Sequence, residues 1–203
     1  MTPALRRFLA RAIRPETAIG LLTLGAVGAA VLGTQAQGGG TVAITSLETT
    51  VGDLRSLHAD VMIRGKSVAG DSRLRDGDDV KTGSGGRARM RLDDGTIVIV
   101  DANAELKLTG QKISLAKGRL FLQAGAASRT EVVMKDTTAT VVSSAAAFDA
   151  GADGKPSSVY CARGEINLST GGKASHVASG ETGTLAGGAV KVAPETAFDD
   201  WTG

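Results

Sequence analysis

Aromatic side chains are scarce in this 203-residue chain, which has four Phe, one Tyr and one Trp. Sites that grip sugar rings or nucleobases rely on stacking against such rings, so glycan and single-stranded nucleic-acid recognition have little to build on. Cysteine is reduced to Cys161, which excludes an intramolecular disulfide. Within the apolar stretch Ser158 to Ala162 it reads as a small buried hydrophobe. His58 and His176 are the only imidazoles, and neither H-E-x-x-H nor G-x-S-x-G spacing occurs. No catalytic residue, metal site or cofactor is assigned on this basis, and an enzyme is not expected. The formal net charge is +2, while the first sixteen residues alone hold four Arg and one Glu. The remainder is therefore close to neutral, at −1, and lacks the basic excess that a nucleic-acid surface needs.

What the chain does have is one long uncharged stretch. No charged residue falls between Glu16 and Glu48, and Thr17 to Ala36 is apolar almost throughout. Twenty residues rising about 1.5 Å each span the roughly 30 Å hydrocarbon layer of a bilayer. Arg6, Arg7, Arg11 and Arg14 precede the stretch. The positive-inside bias then holds residues 1–16 as a short cytoplasmic segment and sends the rest outward. Thr34-Gln35-Ala36 ahead of Gln37 also fits a signal-peptidase pattern, with the same topology. Gly20, Gly25, Gly28, Ala29, Ala30 and Gly33 include pairs three or four residues apart, spacing that lets two such helices approach and form a homodimer. The domain organisation expected is a helix over 17–37, a glycine-rich linker over 38–50, a β domain over 51–193 and an acidic-aromatic tail over 194–203.

Over 51–193 apolar residues alternate in twos, and turn residues recur about every ten positions, which predicts an all-β domain. Expected strands include Val61–Ile63, Asp79–Thr82, Ala88–Leu92, Thr96–Val100, Glu105–Leu108, Gln111–Leu115 and Arg119–Gln123. Further ones are Thr130–Met134, Ala139–Val142, Ala147–Asp149, Ser157–Ala162, Ile166–Ser169, Lys173–Val177, Glu181–Leu185 and Ala189–Val192. Asp93-Asp94-Gly95 is the clearest hairpin signal, because Asp-Gly accepts the positive φ of a tight turn. Ile97, Val98, Ile99 and Val100 are apolar in succession, which predicts a central strand covered on both faces. The aspartates Asp76, Asp78, Asp79, Asp93 and Asp94 sit at glycine turns without EF-hand spacing and read as solvated turn residues rather than calcium ligands.

Three stretches carry a family resemblance: Leu74-Arg75-Asp76-Gly77-Asp78-Asp79-Val80-Lys81-Thr82-Gly83, then Arg89-Met90-Arg91-Leu92-Asp93-Asp94-Gly95-Thr96, then Ile113 through Gly118 to Phe121. With Thr140-Val141-Val142 through Phe148, Arg163-Gly164-Glu165 and Ser179-Gly180-Glu181, they resemble the FecR domain family of bacterial envelope proteins over roughly Val51 to Val192. Ser144-Ala145-Ala146-Ala147-Phe148 departs from that family's Gly-Thr element. The resemblance implies a stacked or solenoid-like β-sandwich in the periplasm, behind one inner-membrane helix. It also implies a role in envelope signalling or assembly through a protein partner. Met1 to Glu16 is shorter than the cytoplasmic anti-sigma domain of the iron-transport regulators in that family, so direct sigma-factor control is not expected.

Two sets of residues are candidates for contacting a partner. Arg87, Arg89 and Arg91 alternate with Ala88, Met90 and Leu92 and so share one strand face, about 6.6 Å apart. Phe198 and Trp201 stand among Glu195, Asp199 and Asp200 in the tail. The alternative function is an envelope-glycan domain that contacts peptidoglycan, and the scarcity of aromatic rings favours a protein partner instead.

Overall fold

The structure, a computed structural model, describes residues 49–151 and 155–195. The predicted helix Thr17 to Ala36, with its small-residue face, and the tail residues Phe198 and Trp201 lie outside the described residues. Among the residues described, no helix is long and apolar enough to cross a membrane.

The described residues form an all-β fold of two sheets. β1 (Thr50–His58) starts the first sheet, and β2 (Val61–Ile63) and β3 (Lys66–Ser67) form a hairpin in the second. β4 (Asp71–Arg75) returns to the first sheet and β5 (Asp79–Thr82) to the second. From there the chain lays hairpins alternately. β6 (Arg87–Leu92) and β7 (Ile97–Val100) join the first sheet, then β8 (Glu105–Thr109) and β9 (Lys112–Lys117) the second. β10 (Arg119–Gln123) crosses back alone, followed by β11 (Arg129–Met134) and β12 (Thr137–Val142) in the second sheet. β13 (Ala145–Asp149) and β14 (Ser157–Arg163) then extend the first, β15 (Glu165–Thr170) and β16 (Lys173–Ala178) the second, and β17 (Glu181–Ala186) and β18 (Ala189–Pro194) complete the first.

The strand order is β4-β1-β6-β7-β10-β13-β14-β17-β18 in the first sheet and β3-β2-β5-β8-β9-β11-β12-β15-β16 in the second. From β5 onward the chain thus advances in one direction along both sheets. Neighbours pair antiparallel except β9 with β11. Between those two, β10 occupies the other sheet, so the chain re-enters heading the same way.

Alternation builds the core. Ala88, Met90 and Leu92 of β6, Leu106 and Leu108 of β8, Leu120 and Leu122 of β10, and Ile166 and Leu168 of β15 all point inward and pack in one cluster shared by the two sheets. Phe148 is the sole aromatic ring among the fully buried side chains. Aliphatic packing supplies the rest, at about 1.5–3 kcal/mol for each large side chain buried.

The glycine turns do two different jobs. Gly95 (φ 84°) closes the β6–β7 hairpin within one sheet, where its N–H bonds Leu92 O at 3.0 Å. Gly118 (φ 82°) instead carries the chain from β9 in the second sheet to β10 in the first. A Cβ there would lie 2.5 Å from Ala104 Cα, so only glycine lets the two backbones approach so closely.

Candidate functional site

The arginine strand is arranged as its alternation predicts. Ala88 and Met90 are fully buried, Arg89 and Arg91 are exposed and Arg87 is half-buried on the outer face of the first sheet. Strand register then decides what surrounds them. Arg89 stands opposite Arg55 of β1 on one side and Ile99 of β7 on the other. The same row continues through Phe121 of β10, Ala147 of β13 and Tyr160 of β14. One step along, Arg91 stands between Asp53 and Ile97. The outer face therefore grades from cationic at β4, β1 and β6 to apolar at β7, β10 and β13.

This face corrects the expectation for the apolar run. β7 lies one place from the middle of its nine-stranded sheet, but it is not covered on both sides. Val98 and Val100 are fully buried, while Ile97 and Ile99 are only half-buried on the outer face. The run is apolar because it contributes to the core with one side and to the outer patch with the other.

Electrostatics set Arg89 and Arg91 apart from their neighbours. Arg73 is held by Asp53 at 2.8 Å, and the hydrogen bond and charge of that carboxylate raise its already high pKa further. Arg55 lies 3.8 Å from Asp71. Arg119 binds Asp101 at 2.5 and 3.0 Å. Among the described residues, Arg89 and Arg91 make no ion pair, and Arg89 faces a like charge directly across the ladder. Opposed like charges weaken a sheet, so this pair adds nothing to the stability of the ladder.

The motif residues turn out to hold the sandwich together. Thr96, in Asp93-Asp94-Gly95-Thr96, is fully buried; its hydroxyl donates to Ser128 Oγ at 3.0 Å, lies 3.3 Å from Thr130 Oγ1 and accepts from Gly125 N at 3.4 Å. Thr82 donates to Asp101 O at 2.6 Å and accepts from Ala104 N at 2.9 Å, tying β5 to the segment leaving β7. Ser144, at the departure from the family pattern, donates to Val142 O at 2.7 Å and Glu165 O at 3.1 Å. Each hydroxyl sits where the chain passes from one sheet to the other or beside such a passage, and satisfies backbone groups there that no ladder reaches.

The acidic turn residues follow the same logic, and Asp78 is not solvated. It is 1% exposed, and its carboxylate accepts from Arg75 N at 2.8 Å and from the Arg64 guanidinium. Asp76 accepts from Gly110 N at 2.7 Å, and Asp94 from Thr96 N at 2.9 Å. His58 is exposed, and His176 on β16 lies 3.4 Å from Glu165. Cys161 is fully buried, its thiol 3.4 Å from Gly164 O, and burial pushes its pKa up. Among the described residues no group of His, Cys, Asp and Glu is placed to hold a metal ion.

A family model described as "FecR protein" matches residues 78–167, from the buried Asp78 into β15 and including all three arginines of β6. The match is narrower than the sequence resemblance over Val51 to Val192. Two crystal structures of a candidate anti-sigma factor from Parabacteroides distasonis share the fold, each with a TM-score of 0.51, at 14% and 13% identity. Each alignment covers 58% of this chain and 59% of that one, so the chain spans less than two thirds of the protein it resembles. No curated protein matches.

Proposed function

We propose, from the match of residues 78–167 to the FecR family model, that the chain is a non-catalytic module of envelope signalling that recognises a protein partner. The helix Thr17 to Ala36 holds it at the inner membrane, with the β domain in the periplasm. The observation that carries this reading is the outer face of the first sheet. There, Arg89 and Arg91 lie without ion pairs beside Ile97, Ile99 and Phe121, three half-buried apolar side chains. Arginine next to apolar and aromatic side chains is the composition favoured at the centres of protein interfaces. The anti-sigma description of the structurally similar proteins supports a place in signalling.

The test is in-cell crosslinking of the tagged chain, with the captured proteins identified. Replacing Arg87, Arg89 and Arg91 together by Ser removes the capture of a partner that docks on this face, and unchanged capture sinks the assignment. Topology is checked separately: protease added to cells with a permeabilised outer membrane cleaves beyond Gly40, and full protection refutes the periplasmic placement.

A further inference from the structure

The cationic and apolar halves of the outer face meet in two parallel rows. In one, Arg89 stands opposite Ile99, and Ile99 opposite Phe121; in the other, Arg91 stands opposite Ile97, and Ile97 opposite Gln123. Neighbouring strands lie about 4.8 Å apart, so each arginine has an isoleucine one strand away, and the rows repeat at about 6.6 Å along the strands. On the cationic side, Arg55 and Arg73 are answered by Asp71 and Asp53. Arg89 and Arg91, both exposed, make no ion pair among the described residues, and Asp93 at the turn after β6 sets one carboxylate against the two of them.

We propose that this face takes an acidic amphipathic helix of the partner protein, laid along β6 and β7. The inference rests on the reading of the face as the partner surface and names the chemistry of what docks there. Topology excludes strand addition, because β6 lies between β1 and β7, and β7 between β6 and β10. Neither offers the unpaired edge that an added strand needs. An extended segment laid flat on the face would set its own N–H and C=O groups against side chains and leave them unsatisfied. A helix bonds its backbone internally and presents side chains only. Its dimensions fit as well: residues i and i+4 are separated by a rise of about 6 Å, against about 6.6 Å between Arg89 and Arg91. Its width of about 10 Å covers the two strand spacings from β6 to β10. Carboxylates at i and i+4 then meet the two guanidiniums, where paired N–H···O bonds fix the register. Apolar residues at i+1, i+5 and i+8 share the adjoining stripe of such a helix and cover Ile97, Ile99 and Phe121. A nucleic acid would use the arginines and leave those apolar side chains uncovered.

The probe is a fluorescein-labelled model helix with Glu at i and i+4 and Leu at i+1, i+5 and i+8, titrated against the full chain and read by fluorescence anisotropy. The same helix with Lys in place of Glu, a proline-interrupted peptide of the same composition that cannot stay helical, and vesicles containing anionic phospholipid are measured in parallel. The Glu helix binds, and the Lys helix and the interrupted peptide bind at least tenfold more weakly. Arg89→Glu with Arg91→Glu weakens the Glu helix at least tenfold and makes the Lys helix the tighter ligand, a reversal that loss of folding does not produce. Ile99→Ser weakens the Glu helix severalfold, and Lys191→Glu on β18, at the far margin of the sheet, leaves it unchanged. Circular dichroism of the double variant matches the parent; if the double variant does not fold, Arg89→Glu alone, at an exposed position, still weakens binding severalfold. The proposal is overturned if the parent does not bind the Glu helix, if the interrupted peptide binds as tightly, if Arg89→Glu leaves the affinity unchanged, or if the vesicles compete as effectively as unlabelled helix. Arginine-dependent capture in cells without binding of the helix overturns this inference and leaves the face as the partner surface. Binding of the helix without arginine-dependent capture supports the site and overturns that reading of the face.

Discussion

Replacing Thr96 by Val nearly preserves side-chain shape and deletes one hydroxyl at the centre of the β7, β10 and β11 region. Ser128 Oγ loses the hydroxyl that donated to it but keeps its own bond to Gly125 O at 3.1 Å, so it loses little. Thr130 Oγ1 and Gly125 N lose the partner they had at 3.3 and 3.4 Å. A buried polar group left without a partner costs about 1–3 kcal/mol. Both contacts are at the long end of the hydrogen-bond range, which places the expected total for two such groups at about 2–3 kcal/mol. Thr96→Ser keeps the hydroxyl and removes a methyl, a loss of about 0.5–1.5 kcal/mol by analogy with other single-methyl deletions in cores. Urea unfolding of both variants, followed by far-ultraviolet circular dichroism, reads the difference directly, provided the slope of stability against urea is unchanged. If Thr96→Val is no less stable than Thr96→Ser, the hydroxyl contributes nothing net. The Asp-Gly-Thr motif would then need an explanation other than holding the sheets.

Gly118→Ala forces an L side chain to φ 82° and drives its Cβ to 2.5 Å from Ala104 Cα; the left-handed conformation costs about 1–2 kcal/mol and the clash about 1–3 more. Gly110→Ala, with φ 57° and open space around it, loses only the conformational part, and thermal denaturation should rank the two accordingly. The triple substitution of Arg87, Arg89 and Arg91 by Ser is expected to leave unfolding stability close to that of the parent while abolishing partner capture; a large loss of stability would mean that the arginines serve the fold. Cys161 has a raised thiol pKa in the folded protein because it is buried. Its contribution to stability is therefore full below the unfolded thiol value of about 8.5 and is lost as pH rises beyond it. Between about pH 8 and pH 10 the parent should lose more stability than Cys161→Ala, and native Cys161 should resist alkylation until urea unfolds the chain.

Strands that carry two or more inward apolar residues were legible, because period-two alternation is the direct imprint of one buried face. The strands missed have little of that imprint. β4 reads Asp-Ser-Arg-Leu-Arg with Leu74 as its one apolar residue, β3 is two residues long, and β1 interrupts its alternation with Gly52 and carries charge at Asp53 and Arg55. Sheet membership was not legible either, since Gly95 and Gly118 look alike in sequence while one closes a hairpin and the other changes sheet. The arginine face was readable from β6 alone. Its apolar neighbours were not, because Ile99, Phe121 and Tyr160 are brought side by side only by the register of four ladders. Asp78 looked like one of several turn aspartates. Its carboxylate is met by Arg64, fourteen positions earlier, which the pairing of β2 with β5 brings alongside it.

The one-directional advance of the chain has a mechanical consequence. No strand pairs with one more than five places away in chain order, and β18 and β4 occupy opposite margins of the same sheet. A load applied between the two ends of the domain runs across the strands, so it opens the ladders rung by rung from either margin instead of shearing many bonds at once. The same layout lets a terminal hairpin be gained or trimmed without rethreading the body.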